Sequence, residues 1–291
     1  MAENPTPRIT PFFHAASSSC SYIVNVPGDP ACVVIDPVLD CETARARTDT
    51  AFADGLIARI REQKLELAWV LETHAHADRL SAGAYLTKIL GGRIGIGAGI
   101  EQVQETWNGI LDLSGDDRFM PDSFDGRFHD GETITAGALS IRVMHTPGHT
   151  PADVTYVIGD TAFIGDTLFM SDYGTARVDF PGGNGRELYR SVQRIFALGD
   201  ATRLCFCHDY LTETRKEHQS ETTVAVARRA NIHIHDGVSE ADFVKMREAR
   251  DKTLDFPKML LLAVPFNLHG GRPPPPAPNG TSYIKVPLNR F

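Results

Sequence analysis

The sequence predicts an α/β fold, built as one large domain in which sheets are covered by helices. Short apolar runs alternate along the chain with segments whose apolar residues recur at helical spacing. With 291 residues, of which 42% are hydrophobic, the chain is long enough to bury a full core. A His or Asp follows several of the apolar runs. Because loops at strand ends are held by a rigid sheet, this feature predicts an active site at the ends of the strands.

Four helices are predicted, beginning near residues 53, 82, 184 and 239. In the first, Ala53, Leu56, Ile57 and Ile60 occupy positions i, i+3, i+4 and i+7, which indicates an amphipathic helix. The third begins with a capping pair, since Asn184 stands three residues before Glu187. Each helix lies between apolar runs, so the order of elements is that of a layered α/β domain.

The segment after the apolar run 67–71 carries His74, His76 and Asp78 at alternating positions. Residues i and i+2 of an extended segment project to the same side, so His74 and His76 can face one site. Neutral imidazole and carboxylate groups are suitable ligands for zinc and iron. The segment therefore predicts a metal site.

Three later strand ends add further candidate residues. His149 follows the alternating strand 139–145 and a Pro-Gly turn, Asp166 follows the run 162–164, and His208 follows the run 204–206. Tyr210 stands two residues after His208. Because metal sites in layered α/β proteins are assembled from distant loops on a rigid sheet, we expect these side chains to converge on His74 and His76.

Arg79 directly follows the His-x-His-x-Asp cluster. A guanidinium stays protonated and has no lone pair, so it cannot bind a metal, and its charge opposes a second divalent cation nearby. We therefore expect a single metal ion, with Arg79 paired to Asp78 or Asp209.

These motifs, in this order, resemble those of the metallo-β-lactamase superfamily. The segments 72–78, 165–169 and 172–183 more narrowly resemble the bacterial persulfide dioxygenases, and the likeness runs from about residue 9 to the C-terminus. The resemblance implies a four-layer αβ/βα sandwich. It also implies an enzyme that oxidises glutathione persulfide with O2 to sulfite and glutathione.

The resemblance further implies one Fe(II) per chain, held by His74, His149 and Asp166. Two histidines and a carboxylate leave positions open, which is typical of non-haem iron oxygenases. His76, Asp78 and His208 are then expected to act as catalytic groups that orient ligands and water. Tyr210 is a further catalytic candidate, whose hydroxyl would face the bound ligand, and a tyrosine of the core is the structural alternative.

Arg177 lies in the stretch 172–183 that carries the narrower resemblance. Glutathione has two carboxylates, and a guanidinium binds a carboxylate through two parallel hydrogen bonds. Arg177 is therefore a candidate substrate clamp. An ion pair between Arg177 and Asp179 is the structural alternative.

Two other functions remain open. A metal-dependent hydrolase, such as a glutathione thioesterase or a lactonase, would need zinc or a mixed metal pair, which Arg79 disfavours. A binding module without metal chemistry is the third possibility, against which the retained His74, His149 and Asp166 argue.

Composition excludes several classes of partner. The formal net charge is -8 and no run of Lys or Arg stands out, so we expect no nucleic acid. The chain has no long apolar stretch for a membrane helix, and residues 1–10 lack the apolar core of a signal peptide. The odd number of cysteines, five, fits a reduced protein of the cytoplasm.

The chain changes character after about residue 252. We expect a catalytic domain over residues 9–252 and a Pro-rich extension over residues 253–291, with four consecutive prolines at 273–276. Tyr283, Ile284, Val286 and Leu288 follow the prolines. Since apolar side chains favour burial, we expect this tail to pack on its own domain or on the second subunit of a homodimer.

Overall fold

The fold is a sandwich of two six-stranded sheets, each covered on its outer face by helices. It was determined as a computed structural model, which describes residues 6–290. Tyr22, Trp69, Tyr156 and Phe163 belong to the apolar core between the sheets. The four-layer αβ/βα architecture implied by the family resemblance is therefore confirmed.

The first sheet combines antiparallel and parallel strands. Its order is β1 (Arg8–His14), β2 (Ser19–Asn25), β3 (Ala31–Ile35), β6 (Glu66–Leu71), β8 (Arg93–Gly97) and β9 (Gly126–Phe128). From β3 onward the neighbouring strands are parallel. Because parallel strands end at the same edge, the loops that follow β3 and β6 emerge beside each other.

The second sheet is mostly antiparallel. Its order is β10 (Thr133–Ala136), β11 (Leu139–His145), β12 (Val154–Ile158), β13 (Thr161–Phe163), β14 (Arg203–Cys205) and β15 (Glu221–Thr223), with β13 and β14 parallel. A small third sheet has the order β5 (Arg47–Asp49), β4 (Val38–Glu42) and β7 (Leu80–Ser81).

Helices cover both outer faces. Those on the first sheet are α1 (Ala51–Glu62), α2 (Gly83–Leu90), α3 (Ile100–Ile110) and α7 (Leu260–Asn267), and those on the second are α4 (Gly185–Phe196), α5 (Val224–Ala230) and α6 (Glu240–Asp251). Three single-turn 3-10 helices lie at Thr43–Arg45, Gly115–Asp117 and Pro121–Ser123. No helix among residues 6–290 is long and apolar enough to cross a membrane.

All four predicted helices are present, as α1, α2, α4 and α6. The predicted cap of α4 is also present, because the Asn184 side chain accepts hydrogen bonds from the backbone N–H groups of Arg186 and Glu187. Ser239 caps α6 in the same way, by accepting from the N–H of Asp242. Side-chain oxygens at these positions satisfy N–H groups that a helix leaves unpaired.

Helix α7 holds the loop that carries the predicted metal cluster. The side-chain amide of Asn267 donates to the backbone oxygens of His76 (2.7 Å) and Arg79 (2.8 Å), and its oxygen accepts from the N–H of Ser81 (2.8 Å). Leu260, which lies beyond the expected boundary at residue 252, is part of the apolar core beneath the first sheet. The division of the chain at residue 252 remains a prediction.

The end of the tail leaves several apolar side chains exposed. Tyr283 is 59% exposed, Val286 50% and Leu288 86%. Lys285 does contact the body, since its ammonium donates to the backbone oxygen of Asp112 at 2.7 Å. These three side chains are therefore not covered by their own domain, and the expected packing of the tail on the domain or on a second subunit stays a prediction.

Candidate metal centre

The loop that follows β6 is buried along almost its whole length. His74, His76 and Arg79 are each at most 1% exposed, whereas Asp78 is half-buried. The side chain of Asp36, at the end of β3, accepts from the backbone N–H of Thr73 at 2.8 Å. The loop is thus fixed by a neighbouring strand end, as well as by Asn267 of α7.

His74, His149 and Asp166 converge from three separate loops. His74 Nε2 and His149 Nε2 each lie 3.7 Å from Asp166 Oδ2. One ligand atom from each residue lies within 4.8 Å of the other two, and all three residues are buried. The structure therefore brings together the three residues that the resemblance implied as metal ligands, although their role as ligands remains a proposal.

These donor atoms fit a divalent metal ion. His74 Nε2 is buried and has no hydrogen-bond partner among the described residues, and neither do Asp166 Oδ1 and the His208 Nε2 atom that it faces. An unsatisfied buried polar atom costs about 1–3 kcal/mol, so such atoms need a reason to persist. A cation bound between two imidazoles and a carboxylate provides that reason.

Hydrogen bonds orient both histidines toward this point. His149 Nδ1 lies 2.8 Å from the backbone oxygen of Arg177, which can only accept, so Nδ1 carries the proton and Nε2 keeps its lone pair. The hydroxyl of Thr73 donates to Asp36 Oδ2 and is left to accept from His74 Nδ1 at 3.1 Å. Burial holds the pKa of His74 well below its usual range. His74 is therefore neutral, and the Nε2 atoms of both imidazoles face Asp166 Oδ2.

His76 lies outside this group of three. Its Nε2 is 2.9 Å from Arg79 Nη2 and 3.1 Å from Asp36 Oδ1, and its Nδ1 is 3.9 Å from Cys207 Sγ. Burial, followed by the charge of Arg79, holds the pKa of His76 well below its usual range. His76 is thus a neutral group beside the centre, in contact with the groups that hold Arg79.

Arg79 is bound differently from the way the sequence suggested. Its guanidinium donates to the backbone oxygen of Asp36 (3.1 Å) and to Cys207 Sγ (3.2 Å). The expected pairing of Arg79 with Asp78 or Asp209 is wrong, because Asp209 forms its ion pair with Arg215 at 2.6 Å and Asp78 lies against His208. The loop is closed by backbone and thiol contacts instead.

Asp78, His208 and Tyr210 form the other side of the centre. His208 Nε2 lies 3.2 Å from Asp78 Oδ2 and 3.6 Å from Asp166 Oδ1. The ring of Tyr210 stacks on the imidazole of His208, with centroids 5.4 Å apart and an interplanar angle of 9°. Asp166 therefore has one carboxylate oxygen toward His74 and His149 and the other toward His208.

A cavity of about 280 Å³ opens onto the centre. Asp78, His149, Asp166 and Tyr210 contribute to its lining, and so does Arg177. Arg177 forms the ion pair with Asp179 that was the alternative to a role as substrate clamp. Its Nε and Nη2 donate to the two carboxylate oxygens of Asp179 at 2.6 and 2.7 Å.

A second arginine lines the same cavity and forms no such ion pair among the described residues. Arg250 of α6 is exposed, and no ion pair to it is seen within the described chain. A larger cavity of about 1280 Å³ lies between α2, α7 and the tail, but it contains none of the predicted site residues.

Sequence reasoning missed Asp36 and Glu72. Asp36 follows the apolar strand β3, which is the same strand-end signal that identified Asp166. Glu72 is buried beside it, and burial together with the charge of Asp36 raises the pKa of Glu72 to about 8. Both carboxyl groups contact the loop rather than the cavity, so their visible role is to hold it.

A family model for the metallo-beta-lactamase superfamily matches residues 15–208. The chain belongs to this superfamily. The matched range includes His74, His149, Asp166 and His208, so the centre described above lies within the superfamily domain. The sequence resemblance to the superfamily is thereby confirmed.

Relatives of this chain carry names of two kinds. A probable metallo-hydrolase of Burkholderia pseudomallei is 47% identical over 96% of this chain and 98% of its own length. Glyoxylase B2 of Dictyostelium discoideum is 44% identical over 89% of both chains. The human mitochondrial persulfide dioxygenase ETHE1 is more distant, at 30% identity over 91% of this chain and 89% of its own length.

Among solved structures, ETHE1 from Myxococcus xanthus matches with a TM-score of 0.73 and 27% identity, covering 91% of this chain and all of that chain. The likeness to persulfide dioxygenases is therefore confirmed as a relationship. The names of the more similar relatives favour the hydrolase alternative over the dioxygenase. At the level that the comparisons reach, this is a metallo-enzyme of the metallo-β-lactamase superfamily.

Proposed function

We propose that this chain is a metal-dependent hydrolase that cleaves a thioester of glutathione and holds one metal ion at His74, His149 and Asp166. The observation that carries the proposal is the convergence of two buried imidazoles on Asp166 Oδ2, at 3.7 Å each, beside a cavity. The choice of hydrolysis is supported by relatives at 44% and 47% identity that are named glyoxylase and metallo-hydrolase. Catalytic zinc sites commonly use three protein ligands, so a single metal suffices.

The proposed chemistry depends on which metal is bound. Zinc at this centre supplies an acidified water for attack on a carbonyl, whereas Fe(II) supplies a centre for oxygen chemistry. The protein's own contribution is to keep His74 neutral, by burial, and to fix the orientation of both histidines through the backbone oxygen of Arg177 and the hydroxyl of Thr73.

Asp78 and Tyr210 are the proposed proton-handling groups. Asp78 is the half-buried carboxylate at the cavity, and His208 lies 3.2 Å from it, so Asp78 can accept a proton from an attacking water while His208 holds its orientation. Burial raises the pKa of Tyr210 well above its usual range. Tyr210 therefore keeps its proton and can donate a hydrogen bond to an oxyanion that develops in the cavity.

The carboxylates of glutathione require cations at the cavity. The guanidinium of Arg177 already donates two hydrogen bonds to Asp179, so fewer of its N–H groups are left for a substrate carboxylate. Arg250 has its guanidinium free of such a pair and lines the same cavity. We assign the carboxylate contact to both residues, with Arg250 as the group that a substrate reaches without displacing an ion pair.

A second candidate, the iron-dependent oxidation of glutathione persulfide by O2 to sulfite and glutathione, is favoured by one specific observation. Arg79 is fully buried beside His76, and its positive charge opposes a second divalent cation near Asp78 and His208. A mononuclear centre of two histidines and a carboxylate is typical of iron oxygenases. The 30% identity to a persulfide dioxygenase is consistent with this candidate.

One experiment separates the two. Apoprotein is loaded with Zn(II) or, under anaerobic conditions, with Fe(II), and each form is given an S-acyl glutathione thioester or glutathione persulfide with O2. Thiol release from the thioester without oxygen uptake from the persulfide supports the hydrolase. Oxygen uptake with equimolar sulfite, seen only with iron, overturns it in favour of the dioxygenase, and neither reaction overturns both. The variant His149→Ala should lose the reaction, whereas His235→Ala, an exposed histidine away from the centre, should keep it.

A further inference from the structure

The segment 174–178 at the cavity is held by side chains from a distant part of the chain. It has no regular secondary structure. The oxygen of Gly174 accepts from Asn231 (3.0 Å), and the N–H of Thr175 donates to His233 Nδ1 (3.0 Å). A Cβ on Gly174 would lie 2.0 Å from His233 Nδ1, so the two segments are in close contact. The backbone of this segment is therefore fixed by buried polar groups, as buried N–H and C=O groups require.

One peptide group in this segment lies between a carboxylate and a candidate metal ligand. The oxygen of Arg177 accepts from His149 Nδ1 at 2.8 Å, and the N–H of Val178 donates to Asp251 Oδ2 at 2.9 Å. The C=O of residue 177 and the N–H of residue 178 belong to the same rigid, planar amide. Asp251, this amide and the His149 imidazole thus form a continuous chain of hydrogen bonds.

Arg247 fixes the carboxylate at the far end of this chain. Its Nε and Nη2 contact Asp251 Oδ1 at 2.8 and 2.6 Å, which leaves Oδ2 for Val178. Arg247 is 1% exposed and Asp251 is 3% exposed. Arg247 also donates to the oxygen of Thr175 at 3.1 Å. The carboxyl group of Asp251 is therefore held in one orientation, between a buried guanidinium and the N–H of Val178.

We propose that Asp251 is a positioning residue for His149 and acts on it through the 177–178 peptide group. The carboxylate attracts the amide proton of Val178, which polarises the amide and strengthens the bond from its oxygen to His149 Nδ1–H. Groups that hold the outer nitrogen of a metal-bound histidine fix its tautomer and raise its basicity as a ligand. The inference rests on the proposed role of His149 as a metal ligand and adds a residue outside the cavity to that site.

The test compares Co(II) binding to the wild type and to Asp251→Asn. The single amide oxygen of the new side chain will be taken by Arg247, so its NH2 will face the N–H of Val178, and two donors cannot bond. We expect the Kd for Co(II), measured by competition with a chelator, to rise about ten- to a hundred-fold. The visible absorption bands of bound Co(II) should also shift. Glu248→Gln, on the exposed face of the same helix, is the matched control and should leave both unchanged.

Each result has a definite meaning. If Asp251→Asn lowers the melting temperature but keeps the Co(II) affinity and spectrum of the wild type, Asp251 is only structural and the inference is overturned. If the wild type itself binds no Co(II), the inference about Asp251 fails together with the proposed function. Should the variant not fold, the wild-type amide resonance of Val178 is followed by NMR as Zn(II) is added. A shift supports the relay, and an unmoved resonance overturns it.

Discussion

At the scale of single residues, the permanently charged guanidinium of Arg79 lies beside the residues that are proposed to bind a metal. Arg79 is held by the backbone oxygen of Asp36 and by Cys207 Sγ, and both contacts are buried. Coulomb repulsion between unit charges a few ångströms apart is strong in a buried environment. Asp78 Oδ2 and His208 Nε2 lie 3.2 Å apart, and the positive charge of Arg79 interacts with Asp78. The proposal of a single metal ion per chain rests on these contacts.

We predict that Arg79→His raises the metal content of the protein from one to two ions per chain. The substitution removes the repelling charge and adds an imidazole near Asp78 and His208, which suits zinc. The content is measured by elemental analysis after Zn(II) loading and removal of free metal. Arg79→Gln, which removes the charge without adding a metal ligand, should stay near one. A histidine variant that also binds one ion would show that the charge of Arg79 does not limit the site.

The strand-end signal predicted that His74, His149 and Asp166 come together, because strand ends meet at one edge of a sheet, whereas their choice as ligands came from the family resemblance and remains a proposal. The sequence could not locate the partners of Arg79, whereas the pair of Arg177 with Asp179 was one of its two alternatives because these residues are close in sequence. A long side chain has several rotatable bonds, so its contacts depend on which groups the backbone places within reach. Asp36 carried a usable strand-end signal, but no second motif residue stood beside it.

At the scale of elements, the site loops are held by helices that are far away in sequence. Asn267 of α7 binds the backbone of the loop at His76 and Arg79, and Asp251 of α6 binds the backbone at Val178. The sequence predicted α1, α2, α4 and α6 from apolar spacing and caps. It did not predict α7, whose residues are almost all apolar and include Pro265, so no amphipathic periodicity marks it.

We predict that Asn184→Ala lowers the free energy of unfolding by about 1 kcal/mol, the usual cost of losing an N-cap. The Asn184 oxygen accepts from two N–H groups at the start of α4, and alanine leaves both without this partner. The change is measured by urea denaturation. Gln193→Ala, at an exposed position within α4, serves as the control and should have little effect. Equal stabilities for the wild type and Asn184→Ala would contradict the assigned cap.

At the scale of the whole molecule, the proposed metal joins the two sheets. His74 follows β6 of the first sheet, whereas His149 and Asp166 follow β11 and β13 of the second. The layered fold could be predicted, because alternating strands and helices leave few other arrangements. The exposure of Tyr283, Val286 and Leu288 could not be predicted, because an apolar segment does not reveal which surface, if any, covers its side chains.

We predict that Zn(II) raises the melting temperature and that a chelator reverses the change. A ligand that binds only the folded state at a hundred times its Kd adds about 2.7 kcal/mol of stability. The measurement is a thermal melt of apoprotein with and without Zn(II). His149→Ala should show a much smaller shift than the wild type, and His235→Ala should behave as the wild type does. Equal shifts in all three proteins would mean that the metal binds elsewhere.

The contact to His149 comes from the backbone of residue 177 and not from its side chain. The side chain of Arg177 faces Asp179 and the cavity instead. Replacing that side chain can therefore alter what enters the cavity while the imidazole keeps its tautomer and direction. The side chain at position 177 can therefore change in evolution, or be randomised by an engineer, without removing the backbone contact that holds the proposed metal ligand.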